Sequence, residues 1–119
     1  MIQSLHHVQL AMPKGEEDRA RAFYVSVLGF HEVEKPEVLR GRGGAWFAAA
    51  AVEIHLGVEE KFASARKAHP AFRVASLAEA IKRLSDHGIE FRRDVDLPNI
   101  RRIYVDDPFG NRIELLEVI

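Results

Sequence analysis

The sequence predicts an α+β fold built from two βαβββ modules, and three observations carry that expectation. The chain runs twice through one order of elements: a strand, a helix stopped by glycine, then three more strands. The spacing repeats with the order, since His55 follows Gly29 by 26 positions (55 − 29) and Glu114 follows Gly88 by 26 (114 − 88). The chain also closes on a strong hairpin signal, two β-rich runs around Asp107-Pro108-Phe109-Gly110-Asn111. There Pro fixes one φ, and Gly or Asn accepts a positive φ that other residues resist. A period near half the chain means duplication rather than a solenoid. The expected boundaries are one domain over 1–119, with modules at about 1–60 and 66–119.

Taken in order, Leu5 to Ala11 alternates, with Leu5, His7, Gln9 and Ala11 on one face, and reads as a first strand broken by Pro13 and Gly15. Glu16, Glu17 and Asp18 put negative charge at a helix start. Ala20, Phe23, Tyr24, Val27 and Leu28 then recur at helical spacing up to Gly29. Phe30–Val33 and Ala45–Ala48 read as strands around a loop that contains the Arg-Gly-rich run Arg40–Gly44 and whose conformation the sequence leaves undetermined. Val52–Leu56 is a further strand with Glu53 and His55 on one face and Val52, Ile54 and Leu56 on the other. The stretch from Lys61 to Ala68 is open between linker and short helix.

The second module starts with a strand over His69–Val74. Ser76 and Glu79 have the form of a capping box, Leu77, Ala80, Ile81 and Leu84 make an apolar stripe, and Gly88 stops the helix. A strand over Ile89–Val95, a turn at Leu97-Pro98-Asn99 and the closing hairpin complete the order. In the repeat, His7 corresponds to His69, 22 and 19 positions before their glycines, and His55 corresponds to Glu114. Glu114 is a carboxylate between Ile113 and Leu115, a place where a charge needs a reason.

The totals bound the function. A chain of 119 residues, 47% hydrophobic and 29% charged, with a formal net charge of -1, has no global pull toward nucleic acid or acidic membranes. With no cysteine, disulfides, thiolate metal sites and cysteine nucleophiles are excluded. No apolar run approaches the roughly 18 residues of a membrane span, and the N-terminus lacks a signal-peptide pattern, so a cytoplasmic protein is expected.

Five stretches carry a family resemblance over nearly the whole chain: LHHVQLA, AFYVSVLGF, VEIHL, HPAFRV and DPFGNRIELLE. Together they resemble the vicinal oxygen chelate superfamily, which contains glyoxalase I, fosfomycin resistance transferases, extradiol dioxygenases, methylmalonyl-CoA epimerase and the metal-free bleomycin resistance proteins. The resemblance implies curved mixed sheets forming a cup, a divalent metal held by the first and fourth strand of each module, and a small-molecule substrate. Carried onto this chain, the metal positions are His7, His55, His69 and Glu114; glyoxalase I enzymes place a glutamate where His55 stands. Two imidazoles and a carboxylate leave coordination positions open and suit Zn, Ni, Mn, Fe or Co. The resemblance also gives Tyr104, ten residues before Glu114, a part in binding an anionic substrate.

Alternation nominates neighbours. Gln9 shares a face with His7, Glu53 with His55, and Arg102 with Tyr104. Glu53 is a candidate proton-transfer base supplying the carboxylate that His55 lacks. Arg102 is either a bidentate clamp on a substrate anion or, with Arg101, Arg92 and Arg93, part of a solvated basic edge, and the edge is slightly favoured. His6 and His31 read as surface or edge residues, His87 as a helix C-terminal charge, and Trp46 and Phe47 as core or interface.

The functional expectation is a small metal-dependent enzyme, a lyase, an isomerase or an epoxide-opening transferase, acting on an oxygen-chelating substrate. The alternative is a metal-free protein that sequesters a drug. A homodimer is expected under either reading, since pairing modules across chains covers sheet edges and apolar surface.

Overall fold

The computed structural model describes residues 1–119 as two compact units, Met1–Ser64 and Ala65–Ile119. In the first, strands β1 (Val8–Met12), β2 (His31–Val33), β3 (Ala45–Ala49) and β4 (Val52–Val58) form a mixed sheet in the order β1-β4-β3-β2. In the second, β5 (Ala71–Arg73), β6 (Arg92–Arg93), β7 (Ile100–Asp106) and β8 (Arg112–Val118) repeat it as β5-β8-β7-β6. Each sheet has one parallel pair, β1 with β4 and β5 with β8, and two antiparallel pairs. The fold is α+β, with the βαβββ order in both halves.

The helix α1 starts as an α-helix over Glu17–Arg21, with Glu17 and Asp18 in its first turn, and continues as a π-helix over Ala22–Val27. The wider winding shows in Leu28 N–H donating to the Phe23 carbonyl at 2.9 Å, five residues back. Phe23, Tyr24 and Val27 are all buried, and Tyr24 stacks on Phe47 of β3 with ring centroids 5.3 Å apart. Phe47 pairs with Ile54 of β4, so this helix covers the face that carries Ile54 and Leu56. Burying each such side chain contributes about 1.5–3 kcal/mol. His55 is left on the opposite face.

In the second unit α2 (Leu77–Asp86) packs against β8. The Ser76 hydroxyl accepts the Glu79 N–H at 3.2 Å, one half of the capping box. The Leu77 N–H donates to the Glu117 carboxylate of β8, at 3.1 Å, which ties the helix start to the sheet. Leu77, Leu84, Ile103, Val105, Ile113 and Leu115 make this unit's core.

Several local expectations change. The first strand starts at Val8 and the fifth at Ala71, so His6, His7 and His69 precede their strands rather than lying in them. The strand expected over Ile89–Val95 shrinks to Arg92–Arg93, held to β7 by pairing with Tyr104 and Ile103. A 3-10 helix occupies Glu37–Arg42, inside the stretch expected as loop. Between Val58 and Ala71 there is no helix or strand. No helix is long and apolar enough to cross a membrane.

Candidate functional site

The registers of the two parallel pairs place the candidate residues. In the first unit Gln9 pairs with His55, and in the second Ala71 pairs with Glu114. Both partners lie two positions beyond the module's histidine, so His7 stands to His55 as His69 stands to Glu114. On the other flank Trp46 pairs with His55 and Tyr104 with Glu114. Each unit therefore holds a histidine, a fourth-strand ligand candidate and an aromatic ring side by side on one face.

In the first unit His55 is buried at 3% exposure. Its imidazole lies between the His7 ring, 4.0 Å away at 17°, and the Trp46 indole, 3.7 Å away at 3°. Its Nε2 is 3.0 Å from Oε1 of Glu53. A carboxylate only accepts, so Nε2 carries the hydrogen, and the lone pair of the neutral ring sits on Nδ1. That hydrogen bond is the main cause holding the Glu53 carboxyl below the usual carboxylate range; His6 and His7 add smaller contributions in the same sense. His6 and His7 share a hydrogen bond between their Nδ1 atoms at 2.9 Å. Trp46, expected in the core or an interface, is a half-buried wall of this stack, while Phe47 is fully buried.

In the second unit Glu114 is 7% exposed. Its Oε1 accepts from Nη1 of Arg102 at 2.9 Å and lies 3.8 Å from Nε2 of His69. The same Nη1 reaches the Tyr104 hydroxyl at 2.9 Å, and Arg102 Nε donates to the Val95 carbonyl at 3.1 Å. The guanidinium charge is stabilised first by the bond to Glu114, which raises the Arg102 pKa further. The favoured expectation of a solvated edge is corrected for this residue: the Arg102 side chain is 13% exposed, whereas Arg92, Arg93 and Arg101 are exposed. A charge inside an otherwise apolar sheet was legible at Glu114, but its partner twelve residues back across the hairpin was not. His31 and His87 are exposed, and His87 Nδ1 bonds the Arg83 carbonyl at 2.8 Å at the end of α2.

Neither unit by itself brings together three side chains of the kind that hold a metal. The half-set in the second unit fits such a role on its chemistry. The His69 Nδ1 lies 2.9 Å from the Lys67 carbonyl and must donate to it, which frees Nε2 as the lone-pair nitrogen facing Glu114. Two donors bound at about 2.1 Å in tetrahedral geometry lie roughly 3.4 Å apart. The observed 3.8 Å is close to that separation.

The family model described as Glyoxalase/Bleomycin resistance protein/Dioxygenase superfamily matches residues 4–115. Among solved structures, a Bacillus anthracis protein described only by its glyoxalase family is 49% identical, with a TM-score of 0.96 over 100% of this chain and 98% of that one. A fosfomycin resistance protein from Listeria monocytogenes is 21% identical, with a TM-score of 0.79 over 100% of this chain and 96% of that one. A glyoxalase/dioxygenase from Nostoc punctiforme is 23% identical, with a TM-score of 0.79 over 98% and 92%. These last two are alike in fold. Among curated proteins none matches.

Proposed function

Because the chain belongs to the glyoxalase/bleomycin resistance protein/dioxygenase superfamily, we propose that it is a small divalent-metal-dependent enzyme, a lyase, an isomerase or an epoxide-opening transferase, acting on a substrate with adjacent oxygens. The observation that carries this reading is the register equivalence that sets His7 with His55 and His69 with Glu114 at the same place in both units. These four residues hold the ion when the two half-sets combine, from one chain or from two chains of a homodimer. When bound, the ion supplies Lewis acidity to the chelating oxygens.

The chain's own groups do the rest. Arg102 fixes the Glu114 carboxylate through Oε1 and hydrogen-bonds the Tyr104 oxygen, so the phenolic hydrogen is available to a substrate oxygen. Glu53 orients the His55 ring through Oε1, which leaves Oε2 to receive a substrate proton. Gln9 flanks His55 as the amide that positions the substrate.

Metal content measured by elemental analysis, before and after chelation and reconstitution, tests the reading. About one ion per dimer or per chain is expected, with His69→Ala and Glu114→Gln losing it. The Trp46 stack on His55 favours a second reading, because a flat aromatic surface suits a planar guest held without metal. Fewer than about 0.2 ions per chain after reconstitution, for ligands that bind transition ions strongly, would favour that sequestering protein.

A further inference from the structure

The correspondence between the units breaks at one place, and a cavity lies beside it. Counting two positions back from Trp46 and from Tyr104 makes Gly44 the counterpart of Arg102. Counting two positions on from His55 and from Glu114 makes Gly57 the counterpart of Leu116. In the second unit Arg102 pairs with Leu116, and the guanidinium fills the space beside the carboxylate. In the first unit glycine stands at both positions.

Neither glycine is interchangeable with a larger residue. A Cβ on Gly44 would sit 2.0 Å from the Leu56 carbonyl oxygen, at a φ of +80° that side-chain-bearing residues resist. A Cβ on Gly57 would sit 2.5 Å from Gln9 Nε2, so the missing side chain is what lets the Gln9 amide lie over the strand. Beside Gly57 lies a cavity of about 250 Å³ lined by Gln9, Lys35, Arg42, Trp46 and Gly57, among others.

Its charge is one-sided. Lys35 donates to the Gly43 carbonyl, the Arg42 side chain makes no ion pair or hydrogen bond, and no acidic side chain lines the cavity. Trp46 is shared, forming a wall of the cavity while its indole stacks on His55. A group held here is adjacent to the ring that the proposed reaction uses.

We infer that this cavity is an anion subsite that takes the carboxylate, phosphate or phosphonate end of a small organic acid and so defines the substrate class. Arg42 supplies a two-pronged donor for the anion, Lys35 adds positive potential, the Gln9 amide completes the contact, and Trp46 covers the apolar body of the ligand. The inference rests on the proposed function only for the word substrate; the anion site stands or falls separately.

Trp46 is the only tryptophan in the chain, so its fluorescence reports occupancy directly. Chelator-treated protein is titrated with inorganic phosphate, with benzoate and with neutral benzamide. Saturation by phosphate and benzoate is expected in the millimolar range or below, with benzamide weaker by about tenfold or more, as loss of a charge-assisted pair implies. Arg42→Gln weakens both anions by about tenfold or more, and Arg93→Gln, in the other unit, leaves them unchanged. Gly57→Ala, which pushes the Gln9 amide aside, weakens them by a smaller factor. Equal responses to benzoate and benzamide, or an Arg42→Gln curve that overlays the parent, overturn the inference. These titrations use protein stripped of metal, so a protein that fails the metal test still decides this one.

Discussion

Asp107 decides whether the closing hairpin aims Glu114. Its Oδ1 accepts the N–H groups of Phe109 and Asn111 and its Oδ2 accepts Nδ2 of Asn111, each at 2.9 Å. The Asp107 N–H in turn donates to the Asn111 carbonyl at 2.9 Å and closes the loop. Asp107→Ala removes three bonds and leaves two donors on Asn111, a buried residue, without that acceptor. At about 1.5 kcal/mol per buried donor, the loss is about 3 kcal/mol. For a chain of this size, with an unfolding entropy of ~0.25 kcal/mol/K, that lowers Tm by about 12 °C. Asp107→Asn keeps one oxygen for the two backbone N–H groups but turns an NH2 toward Asn111, and loses roughly half as much. Calorimetry and urea unfolding read both, and metal affinity falls alongside because Tyr104 and Glu114 face each other as the third pair of the same ladder. A loss below about 1 kcal/mol for Asp107→Ala, or an Asn variant no better than Ala, would refute this account of the turn.

Gly44→Ala adds a Cβ against the Leu56 carbonyl, and is expected to cost more than about 3 kcal/mol or to give insoluble protein. Gly15→Ala has a similar φ of +82° but nothing within 4 Å, and costs only about 1 kcal/mol by thermal melts run side by side. Arg102→Met leaves Glu114 without its cation, so Tm in chelator falls below the parent's. Added metal then raises Tm by more than it does in the parent, because the ion replaces the lost countercharge. Lys82 donates to Asp86 at 2.8 Å and holds its carboxyl below the ordinary value. A depressed folded pKa stabilises at pH above the unfolded value and fades as pH falls through the folded one. Lys82→Met and the parent therefore differ slightly at pH 7 and converge near pH 2 in melts, and 1 M salt closes the gap at neutral pH.

How far the sequence could be read depended on whether the cause of a feature was local. The hairpin, the Ser76 cap and the strand faces around Glu53-Ile54-His55 were legible because turn chemistry, capping and a period of two act over a few residues. The equivalence of His55 and Glu114 was legible as spacing, and the registers give it a structural basis. The π-wound half of α1 was hidden, since Phe23, Tyr24 and Val27 satisfy an ordinary helical period equally well. Arg102 read as a surface charge because its partners are the hairpin's far strand and the Val95 carbonyl, neither of which alternation can name. The cavity beside Gly57 was hidden for the same reason: what a side chain at that position would meet is Gln9, on another strand.

The segment between Val58 and Ala71 has a further consequence. Those twelve residues carry no helix or strand, and an extended chain of that length reaches about 40 Å. Most of them are exposed, Lys61, Arg66 and Lys67 among them, and no ladder or helix shields their peptide bonds. Limited digestion with trypsin is therefore expected to cut here before it cuts inside either unit, releasing two fragments divided near residue 64.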